Sequence, residues 1–289
     1  MKSKPILLAT DMTARCDRAL DRALMLAKMW DTRLIVVHVL DPKQAKKKGL
    51  VPKEARIQLE EELPETDVDV QFIIEMGYIG ELVIETAKRE RCGLIVTGVG
   101  HYDGFSDIFL GSPVDHIVRN AHVPVLIIKR KPINPYRSIL IATDFSDCSM
   151  TALKKAAEFF PEVPLHLVHA YNVPYSGWLK SDQITKEIGA EEAKFMERFL
   201  AQTTIDNATF KRLQASNEKG ELGVVLFKKI QEVQSDLVVL GTHGKSGFMR
   251  ASMGNNARVL LSWVKQDVMM VRDSQQAAPQ NSVSTLIGV

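Results

Sequence analysis

Cysteine is scarce in this 289-residue chain, which holds three: Cys16, Cys92 and Cys148. They lie far apart, form no C-x-x-C pair and have no histidine cluster beside them, so neither a disulfide framework nor a zinc site is expected. An excess of one charge is also missing, because 37 Lys and Arg oppose 35 Asp and Glu for a formal net charge of +2. No whole-molecule field therefore points to nucleic acid or to a membrane surface. Aromatic residues make up 7% of the chain, and Trp178 and Trp263 have no aromatic neighbours at regular spacing, which argues against a base-stacking platform. Long hydrophobic runs are absent too. The apolar stretch before Asp11 is too short for a signal peptide or a membrane span, and the expectation is a cytoplasmic protein without membrane contact.

What the chain does have is repetition. SKPILLATDMTARCDRALDRAL near the start returns as YRSILIATDFSDCSMTALKKAA after residue 135. RLIVVHVLD returns as LHLVHAYNV, aligning His38 with His169, and CGLIVTGVGHYDGF returns as SDLVVLGTHGKSGF, aligning Gly98 with Gly241. Anchors in the same order at similar spacing mark a tandem duplication. In the first copy, short β-branched runs predict strands over 6–10, 34–39, 70–75, 94–97 and 123–128. Helices are predicted over 17–30, 80–89 and near 114–120. Continuous apolar strands such as LIVV and VLII suit a parallel sheet covered on both faces. The fold expected is α/β: two tandem, doubly wound, Rossmann-like domains, each with a five-stranded parallel sheet.

KRKPINPYR, with Pro132 and Pro135, is the natural boundary, giving domains over 1–132 and 136–273. The small, polar and aperiodic segment 274–289 reads as a flexible tail. Between the second and third strands the copies differ. The first has charge blocks and two prolines, so only part of it can be helix, and its Lys46-Lys47-Lys48 run is expected in a solvated loop. The second carries Ile184, Ile188, Phe195 and Phe199 near helical spacing and predicts an amphipathic helix.

Open α/β sheets bind ligands outside the carboxyl ends of their strands, where the strand order reverses. If first and fourth strands are neighbours there, Asp11 and Gly98 share one crevice, and Asp144 and Gly241 share its counterpart. In the second copy the loop runs Gly241-Thr242-His243-Gly244-Lys245-Ser246-Gly247, and Gly254-Asn255 follow at an expected helix start. Glycines let the backbone approach a ligand, and amides at a helix N-terminus attract anions. Lys245 adds a positive charge and Asn255 an amide donor. A strand-to-helix connection that simply needs flexible residues explains the same glycines. Two familiar phosphate motifs fail on spacing: a Walker loop would need its first glycine at Val239, and Gly98-Val99-Gly100 is followed by a third glycine one residue too late for the dinucleotide fingerprint.

The pattern of Gly, two residues, Gly, nine residues and Gly followed by Ser or Thr resembles the nucleotide-binding signature of the universal stress proteins. Gly241, Gly244 and Gly254 match it, and the resemblance extends over residues 1–273. It implies the fold of the adenine nucleotide alpha hydrolase-like group, with ATP, alone or with Mg2+, as the ligand. Carried onto this chain, it implies Asp144, Ala170, Gly241, Gly244, Gly254 and Asn255 in the second copy. An ionised Asp accepts hydrogen bonds only, which suits an adenine amine or ribose hydroxyl; Asn255 departs from the usual Ser or Thr. The first copy matches at Asp11, Val39, Gly98, Gly111 and Ser112, but His101 replaces the second glycine and would crowd the phosphate.

The resemblance also implies that domains pair through their last strands, here 123–128 with 268–271 as a pseudo-dimer within the chain. A homodimer of chains and a protein partner stay open. No nucleophile with a base and no metal-ready carboxylate set is evident. The expected activity is therefore non-enzymatic, with slow ATP hydrolysis at most: a stress-response protein whose ligand changes its shape or partner binding. The alternative is an interaction module whose sites have decayed or take another small ligand. A transferase of the wider fold group is disfavoured by the lack of SGG-type and HIGH-type motifs. His38 and His169 read as structural strand-end residues. His101, Asp103, Asp107, Asp115 and His116 lack compact metal-ligand spacing. Cys16 sits near a helix N-terminus, a place that can lower a thiol's pKa, but a buried or idle thiol is the preferred reading.

Overall fold

A computed structural model describes residues 4–13, 16–48, 51–99, 112–173, 182–243 and 255–273, with the backbone alone for residues 44, 48, 112, 182, 255, 256, 258 and 259. The first half runs β1 (Ile6–Thr10), α1 (Asp17–Met29), β2 (Leu34–Leu40), α2 (Pro42–Lys48), α3 (Pro52–Glu62), β3 (Val70–Met76), α4 (Ile79–Arg89), β4 (Leu94–Gly98), α5 (Ser112–Asn120) and β5 (Val125–Ile128). The second runs β6 (Ile139–Ala142), α6 (Asp147–Phe159), β7 (Leu165–Tyr171), α7 (Asp182–Gln202), α8 (Asn207–Arg212), β8 (Leu213–Lys219), α9 (Leu222–Glu232), β9 (Leu237–Gly241), α10 (Asn255–Trp263) and β10 (Asp267–Val271).

Among the described residues the strands form one sheet in the order β3-β2-β1-β4-β5-β10-β9-β6-β7-β8. Pairing is parallel within each half and antiparallel where β10 meets β5, with Met269 opposite Leu126. The expected pairing of the last strands is thus realised within the chain, and it removes two exposed edges at once. Because the join is antiparallel, the carboxyl ends of the two half-sheets point in opposite directions. Any two crevices of the expected kind lie at opposite ends of the molecule.

Alternate residues of each strand feed two cores. Ile6, Leu8, Val36, Ile139 and Ile141 pack with residues of α1, α3, α6 and α7 on one face. Leu7, Ile35, Val37, Leu140 and Val238 pack with α4, α5, α9 and α10 on the other. Burial on both faces is why β2 is buried at every position and reads as an unbroken apolar run.

Three details differ from expectation. β5 begins at Val125 rather than at residue 123, since Pro124 has no N–H to give a ladder. The Lys46-Lys47-Lys48 run belongs to helix α2 rather than a loop; Pro42 opens the helix, and the Asp41 carboxylate accepts from the Lys43 amide at 2.9 Å. Lys46 and Lys47 are exposed there. In α7, Met196 and Phe199 are buried while Ile184 is exposed, so the apolar stripe seats the C-terminal part of that helix.

The seam between the halves is more than a strand pair. Trp30 at the end of α1 meets Phe159 and Phe160 at the end of α6, with ring centroids 5.2 and 5.9 Å apart. The proline-rich connection is pinned rather than loose. Tyr136 is buried, and Arg22 donates to the Asn134 carbonyl at 3.0 Å.

Candidate functional site

The strand order reverses between β1 and β4 in the first half, and between β6 and β9 in the second. Register along β1 and β4 pairs Ala9 with Thr97, so the next position sets Thr10 beside Gly98. Along β6 and β9 it pairs Ile141 with Val239, and two positions on Thr143 stands beside Gly241. The loop that carries Asp11 and the end of β4 at Gly98, and likewise the loop that carries Asp144 and the end of β9 at Gly241, therefore start at switch points of the sheet.

The loop after β6 is tightly built. Thr143 donates its amide to Val168 and shares a 2.8 Å hydroxyl contact with Ser149. The Phe145 amide donates to the Thr143 hydroxyl at 2.9 Å, and the Ser146 amide donates to Asp144 Oδ1 at 3.1 Å. Ser146 then caps α6 by accepting from the Ser149 amide at 3.2 Å. Phe145 itself has φ +61°, a left-handed conformation uncommon for a bulky residue and often found at functional loops. Its ring lies over His169, centroids 4.2 Å apart. His169 Nδ1 contacts the Thr143 carbonyl at 2.8 Å, and Nε2 lies 3.3 Å from Glu192 of α7. Ala170, next along β7, is partly buried against the core on the opposite face.

Gly241 has a packing role that its motif does not announce. A Cβ there would lie 3.1 Å from Cys148 Sγ and 3.3 Å from the Ser149 amide nitrogen, so glycine lets β9 close onto the first turn of α6. Thr242 follows, buried, donating its amide to Val271 and meeting His243 Nδ1 through its hydroxyl at 2.8 Å. Burial, and then the charge of Arg272, lowers the pKa of His243. Arg272 has a buried Nε without a hydrogen-bond partner, and among the described residues it forms no ion pair. The charge of Arg272 is thus felt where the glycine loop begins.

The first half repeats the loop with different fittings. Met12 takes the left-handed position at φ +57° and donates its amide to the Thr10 hydroxyl. His38 Nδ1 contacts the Thr10 carbonyl at 3.0 Å, so both strand-end histidines fasten the strand-one loop, the structural role expected of them. Asp11 Oδ1 accepts from the Thr13 amide, the Thr13 hydroxyl and Cys16 Sγ at 3.0, 2.6 and 3.0 Å. Burial is the largest influence on Cys16 and pushes its thiol up to about 11, in keeping with the idle thiol preferred from the sequence over one activated by the helix N-terminus. Val39 is buried within β2, and Gly98 ends β4 beside Ile128.

Gly244, Lys245, Gly254 and Gly111 lie outside the described residues, as do His101, Asp103, Asp107 and Trp178. Asn255 and Ser112 open α10 and α5, described by their backbone. His116 packs on Gly80 and edge-on to Tyr78, centroids 5.5 Å apart, while Asp115 pairs with Arg119 at 2.8 Å. Among the described residues there is no group of three His, Cys, Asp or Glu placed to hold a metal ion, and no helix long and apolar enough to cross a membrane. The sequence reading missed the left-handed Met12 and Phe145, residue types that give no local signal of that conformation.

The model of the universal stress protein family matches residues 2–129 and again 135–272. The chain belongs to the universal stress protein family. A universal stress protein of Methanocaldococcus jannaschii is 24% identical over 155 residues, covering 44% of this chain and 96% of its own. Universal stress protein E of Escherichia coli is 21% identical over 197 residues, covering 64% of this chain and 62% of its own. A crystal structure of a universal stress protein from Archaeoglobus fulgidus aligns over 94% of this chain and 99% of its own, with TM-score 0.64 and 18% identity. That likeness spans both halves, so the tandem universal stress protein fold is common to the two chains.

Proposed function

We propose that this tandem universal stress protein binds an adenine nucleotide, ATP alone or with Mg2+, in its second half, and that the ligand acts by altering conformation or partner binding rather than by being consumed. The register of β6 against β9 carries this reading, because it puts the Asp144 loop and the start of the glycine loop at one switch point. Asp144 and the backbone at Ala170 would hold the adenosine end. Gly241, Gly244, Lys245, Gly254 and Asn255 would hold the phosphates, where amides at the start of α10 favour an anion. The charge of Arg272 beside His243 fits a polyanion there. Bound magnesium would supply further neutralisation of the phosphates, with Asn255 in place of the family's hydroxyl.

The two domains, 1–132 and 136–273, are read as unequal. In the first, three donors converge on Asp11 Oδ1, and His101 occupies the second glycine position. This favours a first domain that serves chiefly as the pairing partner. If the same were true of both domains, the chain would be an interaction module without a nucleotide. Mass spectrometry of small molecules released from freshly purified, denatured protein separates the readings. ATP or ADP near one per chain, lost in Gly244→Val, supports the nucleotide; its absence, with no binding at millimolar MgATP, supports the module.

A further inference from the structure

The candidate site of the second half shares helix α10 with the seam between the halves. α10 has nine residues, about 13 Å of helix at 1.5 Å per residue, and starts at Asn255, immediately after the glycine loop. Its far end is held by the first half. The Lys129 ammonium donates to the carbonyls of Leu261 and Val264, each at 2.6 Å. A helix leaves such carbonyls without intrahelical donors, and a cation is favoured at that end by the aligned peptide dipoles. Lys129 is fixed in turn: its amide and that of Arg130 donate to Asp267 Oδ1 at 2.8 and 3.1 Å, and its carbonyl accepts from Arg18 at 3.1 Å.

Pseudo-symmetry does not repeat this arrangement. Aligning VPVLIIK with QDVMMVR places Pro124 where Asp267 stands and Arg272 where Lys129 stands. Pro124 has no carboxylate to seat the incoming chain, and the Nε of Arg272 has no hydrogen-bond partner. The Lys129 and Asp267 anchor therefore runs in one direction, from the first half to a helix of the second, the half that keeps all three signature glycines.

We infer that Lys129 is a positioning residue through which the first half sets the ligand affinity of the second, by holding the last turn of α10 and so fixing its first turn. A helix this short moves as a rod, so displacement at one end is carried to the other. By linkage, a ligand that favours the placement of α10 held by Lys129 must tighten that hold. The inference takes its ligand from the nucleotide reading above; the mechanical link between Lys129 and α10 does not depend on it.

The test uses the full chain in four forms: wild type, Lys129→Met, Lys129→Arg and Tyr136→Phe, each checked for a native circular dichroism spectrum. Titration calorimetry with MgATP is read beside amide hydrogen exchange over residues 255–263 without nucleotide. Lys129→Met is expected to weaken ATP at least fivefold and to speed exchange in the first turn of α10. Lys129→Arg keeps a cation and should stay within twofold of wild type, and Tyr136→Phe should lower stability while leaving affinity unchanged. Wild-type affinity in Lys129→Met overturns the inference, whether or not exchange is faster. If wild type binds no ATP, the nucleotide reading fails by itself and exchange alone decides the link. Unchanged exchange in Lys129→Met then overturns it, and faster exchange upholds it.

Discussion

The Tyr136 hydroxyl donates to Asp267 Oδ2 across 2.7 Å, tying the chain that leaves the first half to the last strand of the second. The carboxylate is 1% exposed and also receives the amides of Lys129 and Arg130 and an ion pair from Arg22 at 3.6 Å. Arg22 lies over the Tyr136 ring at 4.0 Å. Burial, then the charge of Asp267, pushes the phenol well above its ordinary range, so it stays a donor. Tyr136→Phe should cost about 1.5–3 kcal/mol, the range for a hydrogen bond to a charged group. Asp267→Ala should cost about 3–5 kcal/mol because it leaves buried Arg22 without its counter-charge. Urea denaturation measures both, and values within about 0.5 kcal/mol of wild type, the ordinary surface range, would contradict the assignment.

Two thiols, the buried Cys92 and the partly buried Cys16, give the molecule an alkaline limit. Burial raises Cys16 and Cys92 from 9.0 to about 11. A thiol with a raised folded pKa contributes stability that is fully present below pH 9 and lost as pH rises through about 11, because the unfolded chain gives up its proton first. Denaturation midpoints should fall over that window, and less steeply in a Cys92→Ala variant. Cys92 should react slowly with an aromatic disulfide reagent at pH 8 in the native protein and quickly in denaturant; fast native reaction of Cys92 would refute the burial argument.

Gly80 admits His116 where α4 meets α5. A Cβ at Gly80 would sit 2.8 Å from His116 Cδ2 and 3.0 Å from His116 Cβ. Gly80→Ala should therefore lose roughly 1–3 kcal/mol to overpacking, despite alanine's better helix propensity. Adding His116→Ala should restore part of that loss. Equal destabilisation in single and double variants would show that the clash lies elsewhere.

Asp206 caps α8 by accepting from the Thr209 amide at 2.6 Å, and that bond holds its pKa below the ordinary carboxylate value. Asp206→Ala should lower the thermal midpoint, and Asp206→Asn, which can still accept, should lower it clearly less. Thermal unfolding resolves the pair.

Much of the fold can be read directly from the residues, for a physical reason. A parallel sheet covered on both faces leaves strands such as β2 buried throughout, and the repeat then assigns their partners in the second half. Asp11 and Asp144 are likewise visible, since each follows an apolar strand in matching contexts. Other features leave no local trace. Nothing in a methionine or phenylalanine advertises a left-handed backbone, so Met12 and Phe145 emerge only with coordinates. Two prolines make 129–136 look like a slack boundary, yet Asp267, which pins it, lies 131 positions beyond Tyr136. Gly241 reads as a ligand-approach glycine, whereas contact with Cys148 and Ser149 supplies a reason of its own for the missing side chain.

The central claim is a nucleotide site in the second half, built on Asp144 and opposite Gly241. Titration calorimetry with MgATP on wild type, Asp144→Ala and Asp11→Ala tests it most directly. One ATP per chain, abolished by Asp144→Ala and retained by Asp11→Ala, is the predicted result. No binding by wild type at millimolar MgATP, or loss in Asp11→Ala with retention in Asp144→Ala, would contradict it.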